Sequence, residues 1–317
     1  MYNLLYHKRR FFCLVLLLII IAGCSTIAVT DPPVMANSKP LVSFVFDDGD
    51  ETDYTVARDI FKAKGEVAST AVVTGWVNTE NYLSVSQLSE LRQDGWEIMS
   101  HTVSHPNLRD LSESQIDDEL SMSKEALESW GLPVRNLVYP YNKSNKTVEK
   151  IAAKYYRAGR AGQKMLNGPD QDRYSLKSFS SELSFRHNMS HIKDHIDQAY
   201  AQKKWLILYQ HLIDAKIKIS DKQGSFMQDE MLMFKPSGAS GKIIEDNRWS
   251  LVFIPLSGTP QIGDTVTGVS SGASAKLTRK EYNEREAITE MIEYIHSTYP
   301  EMRIVTIDQG LDLMGMP

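Results

Sequence analysis

Leu41-Val42-Ser43-Phe44-Val45-Phe46-Asp47-Asp48-Gly49 is the stretch that decides how this chain is read. Its first six residues, almost all apolar, β-branched or aromatic, predict a strand buried on both faces, the kind found in parallel sheets. The strand ends on two adjacent carboxylates and a glycine. Neighbouring carboxylates repel, and burying them at a strand end requires a cation or a shared proton. Taken alone, Asp-Asp-Gly also reads as a turn.

Outward from that strand the chain alternates. Val67–Val73 reads as a second strand, Ser86–Asp94 as a helix closed by Gly95, and Trp96–Ser100 as a third strand. A helix from about Ser112 to Trp130 opens with the capping box Ser112-x-x-Gln115 and stops at Gly131, with Pro133 beyond. Asn136–Tyr139 is a strand, Thr147–Tyr156 and Ser190–Lys203 are helices, and Trp205–Tyr209 is a strongly apolar strand. Repeated units of this length predict a parallel α/β sheet or barrel.

The rhythm breaks from about Asp221 to Lys276. There Gly, Ser and Pro punctuate short apolar runs such as Trp249–Leu256 and Asp264–Val269. The segment 221–276 is therefore expected to be a small β-rich insertion. A second capping box, Thr278-x-x-Glu281, is expected to restart the pattern, with a helix to about Tyr299 and a strand Arg303–Ile307. Residues 41–220 and 277–317 then make one interrupted barrel.

The first residues differ in kind. Lys8, Arg9 and Arg10 precede the apolar run Phe11–Ala22, which is too short for a comfortable membrane span and reads as a signal peptide, residues 1–23. Ile21-Ala22-Gly23-Cys24 resembles a bacterial lipobox, with Cys24 as the lipidated residue; Ser25 after it suggests the outer membrane facing the periplasm in a Gram-negative cell. Residues 24–40, with Pro32, Pro33 and Pro40, are expected to be a tether in the cell envelope. The other cysteine, Cys13, lies in the signal, so the folded body has none and must be held by its core. Without residues 1–23 the chain carries 32 basic against 40 acidic residues, with no basic tract suited to nucleic acid.

Three segments carry chemistry, each after a predicted strand: Asp47-Asp48, His101-Thr102-Val103-Ser104-His105, and His211. In parallel α/β barrels catalytic groups gather at the C-terminal ends of strands. Two imidazoles and one carboxylate suffice for a three-ligand metal site with an open position.

These segments resemble the polysaccharide deacetylases of carbohydrate esterase family 4, which includes chitin, peptidoglycan and poly-N-acetylglucosamine deacetylases. The family's motifs stand here as Phe46–Gly49, His101–His105, Tyr139-Pro140-Tyr141 and Leu206–His211. The resemblance implies a distorted (β/α)7 barrel of the α/β class. It implies Asp48, His101 and His105 as ligands of one divalent ion, Zn2+ foremost, with Co2+ or Ni2+ as alternatives. It further implies Asp47 as base, His211 as acid, the Tyr141 N–H toward the oxyanion, and Leu206 and Leu208 around the acetyl methyl. The substrate it implies is an N-acetylhexosamine polysaccharide outside the cytoplasm. The insertion 221–276 reads either as a passive elaboration or as a surface that holds the polymer or an exopolysaccharide secretion partner. An O-acetyl esterase and an inactive glycan-binding lipoprotein are the rival readings.

Two family features are not found where the resemblance puts them. The arginine that orients the base falls at Val138, and the Asp- and Trp-bearing segment before the last motif is not recognisable; Asp172, Arg173 and Asp214 are the candidate substitutes. His187, His191 and His195 read as a solvated helix face rather than a second metal site, and His296 as structural. Trp76 and Tyr82 are candidates for stacking on sugar rings or for packing.

Overall fold

The computed structural model describes residues 39–185 and 188–316. The signal, lipobox and tether readings, and that for His187, lie outside the described residues, apart from Lys39 and Pro40. The described residues form one compact unit. Among the described residues no helix is long and apolar enough to cross a membrane.

The strands of the first part are β1 (Leu41–Phe46), β2 (Ser69–Val72), β3 (Glu97–Ser100), β4 (Asn136–Val138), β5 (Ala158–Arg160), β6 (Phe179–Ser180) and β7 (Trp205–Gln210). Its helices are α1 (Arg58–Lys64), α2 (Val85–Gln93), α3 (Glu113–Ser129), α4 (Lys146–Ala152) and α5 (Met189–Ala201). The strands lie in the order β5-β4-β3-β2-β1-β7-β6, every pair parallel. Leu176, shortly before β6, bridges Arg160 of β5 in parallel, so the sheet curls toward closure. This is the parallel α/β architecture expected from the sequence, in the form of a curled half-barrel. The capping box at Ser112 is present as read, and a second one, Ser84 with Gln87, starts α2.

Side-chain alternation along the strands sorts the core into two layers. Val42, Phe44 and Phe46 of β1 pack toward the helices, whereas Leu41 and Val45 face the interior of the curl. The same rule corrects one expectation. Leu206 and Leu208 are fully buried in the helix-facing layer with Ile192 and Ile196 of α5, so they do not line an acetyl pocket. The interior positions of β7 are Trp205, Ile207 and Tyr209, of which Tyr209 stands nearest the strand end.

The second part is a closed antiparallel barrel in the order β10-β11-β8-β13-β12-β9. Its strands are β8 (Ala215–Gln223), β9 (Met231–Lys235), β10 (Ser240–Asn247), β11 (Ser250–Ser257), β12 (Thr265–Gly268) and β13 (Ser274–Asn283). Ile217, Ile219, Leu232, Phe234, Leu251, Phe253, Val266 and Leu277 fill its own core. The barrel runs from Ala215 to Asn283, beyond the expected 221–276 at both ends.

The Thr278 capping box is therefore a misreading. Thr278 and Glu281 lie within β13, where Thr278 Oγ1 donates to Lys218 O and Glu281 faces Lys216 and Lys218 across the ladder. Helix α6 (Glu284–Thr298) starts instead from Asn283, whose side chain accepts from Glu286 N–H. β14 (Arg303–Ile304) then pairs with β1, and α7 (Ile307–Leu313) plugs the bottom of the curl with Ile307 and Leu311. Gly310 of α7 is required there, because a Cβ would come within 2.4 Å of the Trp205 ring.

Candidate active site

Asp47 and Asp48 leave β1 in opposite senses. Asp47 continues the interior face and is 3% exposed, while Asp48 turns out of the strand with φ of 76°. Thr102, His105 and Tyr141 also have positive φ, at 72°, 58° and 58°. A non-glycine residue in this region is held there at a cost, and the clustering of four such residues at one end of the sheet marks a functional site.

Asp48 Oδ1 lies 3.5 Å from His101 Nε2 and 3.4 Å from His105 Nε2. Among the described residues these three form the one Asp/Glu/His/Cys group close enough to hold a metal ion. His101 Nδ1 lies 2.7 Å from Val138 O, which turns Nε2 toward Asp48 and sets the tautomer a metal ligand needs. Glu119 of α3 accepts from the Val103 and Ser104 N–H groups and from Ser104 Oγ, and so fixes the loop between the two histidines.

The donor set fits a divalent cation. Asp48 Oδ1 is buried without a hydrogen-bond partner among the described residues. Burial opposes ionisation of Asp48, but the close approach of His101 Nε2 and the fields of His101, His211 and His105 hold its carboxyl below the ordinary value. Burial and His101 also lower the pKa of the His105 imidazole, which favours the neutral form that coordinates metals.

Two residues that sequence reading missed complete the site. Arg160, fully buried at the end of β5, pairs through Nη2 with Asp47 Oδ2 and through Nη1 with Asn142 Oδ1 and Ser178 Oγ. It is the register partner of Val138, so the guanidinium expected at Val138 is supplied from the adjacent strand. Glu182, 3% exposed, accepts from His211 Nδ1 at 3.0 Å, leaving His211 Nε2 facing Asp47 Oδ2 at 4.0 Å. Ser180 Oγ donates to the other Glu182 oxygen.

The three substitutes considered from sequence do other work. Asp172 caps a short turn and meets Lys146, Arg173 stacks on Tyr174, and Asp214 accepts from Tyr282 Oη at the junction with the second barrel. Glu284, where the chain re-enters the first part, accepts from Ser184 N–H and supports the segment bearing Glu182. His191 and His195 lie on α5, with the His195 ring 4.1 Å from that of Phe179, and His296 bonds Glu66 on the surface. Tyr141 is exposed above His105, their rings 4.7 Å apart, and among the described residues its N–H has no backbone acceptor.

Burial would discharge His211, but the Glu182 hydrogen bond and the charges of Asp47 and Glu182 outweigh it and raise its pKa to about 9. The charged form is thus present at neutral pH and is lost only as pH rises through about 9. Glu182→Gln is expected to move that midpoint down toward the free value of about 6.5. NMR titration of the metal-free protein measures it, and an unchanged midpoint would remove Glu182 from this role.

A curled parallel sheet carrying an Asp-His-His centre at its strand ends defines the class: an α/β protein of the deacetylase-like half-barrel type. Residues 35–157 match the polysaccharide deacetylase family, and the chain carries a domain of that family. It is 28% identical over 141 residues to YxkH of Bacillus subtilis (strain 168), whose name places it among polysaccharide deacetylases, covering 44% of this chain and 50% of that protein. It is 32% identical over 97 residues to a chitin deacetylase of Colletotrichum lindemuthianum, covering 30% of this chain and 39% of the relative. The chain thus spans half or less of the length of these curated relatives. Among solved structures, the Streptococcus pyogenes deacetylase PplD in complex with acetate is 28% identical, with a TM-score of 0.40 over 43% of this chain and 62% of that one.

Proposed function

We propose that this protein is a metal-dependent deacetylase acting on acetamide groups of an N-acetylhexosamine polysaccharide outside the cytoplasm. The observation that carries the reading is the convergence at one sheet end of Asp48, His101 and His105 with two buried pairs, Asp47–Arg160 and Glu182–His211. A divalent ion held by the first three would supply Lewis acidity toward the amide carbonyl and acidify water.

The remaining chemistry belongs to the side chains. Asp47, its carboxylate fixed by Arg160, accepts the proton of the attacking water. Tyr141 offers its N–H to the carbonyl oxygen as charge develops there. An amine leaves poorly as an anion, and His211, held charged by Glu182, gives it a proton. Tyr209, inside the curl with its ring 5.9 Å from that of His211, is placed to wall the acetyl group in place of Leu206 and Leu208.

The inactive reading rested on a missing arginine and a missing carboxylate. Arg160 and Glu182 meet both needs, which favours an enzyme. Chelation, or His101→Ala, is expected to remove the metal and to lower acetate release by on the order of a hundredfold or more. Metal analysis and acetate assay on N- and O-acetylated glycans check this; full metal content in His101→Ala would end the assignment.

The location rests on the lipobox. Cys24→Ser is expected to move the protein from the membrane to the soluble fraction, since acyl chains contribute about 0.8 kcal/mol per buried CH2. Unchanged partition would mean that anchoring does not depend on Cys24.

A further inference from the structure

A cavity of about 230 Å3 lies where the antiparallel barrel meets the catalytic face. One side is built by Asp50, Glu51 and Tyr82 with Leu212; the other by Gln228 and Asp229 of the β8–β9 loop, with Ile244 and Ile254. Asp50 stands two residues after Asp48 and Leu212 one after His211, so two residues of the cavity wall adjoin the proposed centre along the chain. From it a line of rings leads across that centre: Tyr82 to Trp76 at 5.0 Å, Trp76 to His105 at 5.6 Å, and His105 to Tyr141 at 4.7 Å.

Resting on the deacetylase reading, we infer that this cavity holds one hexosamine ring of the polymer next to the unit being deacetylated, and that its charge selects neutral or amine-bearing polymers over carboxylated ones. The volume falls below the roughly 300–1,000 Å3 of pockets for drug-sized ligands, which suits a single sugar ring. Tyr82, Leu212, Ile244 and Ile254 give apolar surface for the C–H face of a pyranose, while Asn81 and Gln228 offer amides to its hydroxyl groups. The wall holds three carboxylates and no lysine or arginine. Of these, Asp50 is enclosed beside Asp48, so the charge of the wall rests on Glu51, which has a long contact with Gln87 at 3.5 Å, and on Asp229, which meets Lys242 from outside the wall at 3.1 Å. A uronate, lactyl or succinyl carboxylate entering this wall meets repulsion and desolvation together; a free ammonium meets attraction.

Three pentamers on one backbone test it: fully N-acetylated, half free amine, and half N-succinylated. The wild-type protein should show kcat/KM for acetate release at least about tenfold higher on the amine-bearing than on the succinylated pentamer at low salt, shrinking at about 0.5 M salt. Glu51→Gln with Asp229→Asn should collapse that ratio to within about twofold while keeping metal content. Equal rates in the wild type, or an undiminished ratio in a folded double variant, would overturn the inference; should the double variant not fold, the wild-type ratio and its salt dependence decide. Acetate release from none of the three would overturn the deacetylase reading instead, and calorimetric binding of the same pentamers would still report whether the cavity selects by charge.

Discussion

Asp47→Asn is expected to lower turnover on an acetylated glycan by about a hundredfold or more, with metal content unchanged. The two adjacent aspartates differ because of the strand's pleat: Asp47 stays on the interior face against Arg160, and Asp48 turns to the histidines. An amide at position 47 keeps the shape and one acceptor for Arg160 but cannot take a proton from water. It also leaves the Arg160 guanidinium without a countercharge, so the melting point is expected to fall and rates are read well below it. Wild-type turnover in a metal-replete Asp47→Asn protein would assign the base elsewhere.

How much of this was legible depended on whether the signal was local. Phe46–Gly49 and His101–His105 were readable because each places its ligands within a few residues after a recognisable strand. The apolar runs of β1 and β7 likewise announced a parallel sheet, since both faces of such strands are buried. Arg160 was invisible for the opposite reason. Its pairing with Asp47 spans 113 residues, and β5 is three residues long, too short to show a period. A lone arginine ending the strand Ala158–Arg160 was the one available hint. Glu182 lies in a loop with no pattern at all.

The second barrel shows the same limit from another side. Its strand β8 begins Ala215-Lys216-Ile217-Lys218-Ile219, a clean alternation that marks a strand, yet its nearness to His211 drew it into the first part. At the far end, Thr278-x-x-Glu281 satisfies the capping rule in spacing alone. Whether Thr278 caps a helix or joins a ladder is decided by Lys218, sixty residues earlier in the chain, which accepts its hydroxyl. Misplacing these ends hid a connection that matters to the site. The chain returns from the barrel at Glu284, which burial pushes up to a pKa of about 8, and it binds the segment that carries Glu182.

Arg160→Met is expected to cost about 3–5 kcal/mol of stability, the range for breaking a buried ion pair by removing one partner. The side chain is fully buried, Asp47 is nearly so, and Asp47 Oδ1 already lacks a hydrogen-bond partner among the described residues. With the guanidinium gone, the Asp47 carboxylate loses its donor at Oδ2 and its nearest countercharge, leaving the His211 imidazolium, whose Nε2 stands 4.0 Å away. The base is then no longer held in one orientation, so turnover falls along with stability. Combining Arg160→Met with Asp47→Asn removes both charges and is expected to recover much of the lost stability without recovering turnover. Val138→Arg with Arg160→Val returns the guanidinium to the register partner and is expected to restore part of both. Denaturant melts and acetate assays on the four proteins decide the matter. If Arg160→Met melted and turned over like the wild type, the pair would be ornamental and the orientation of Asp47 would need another cause.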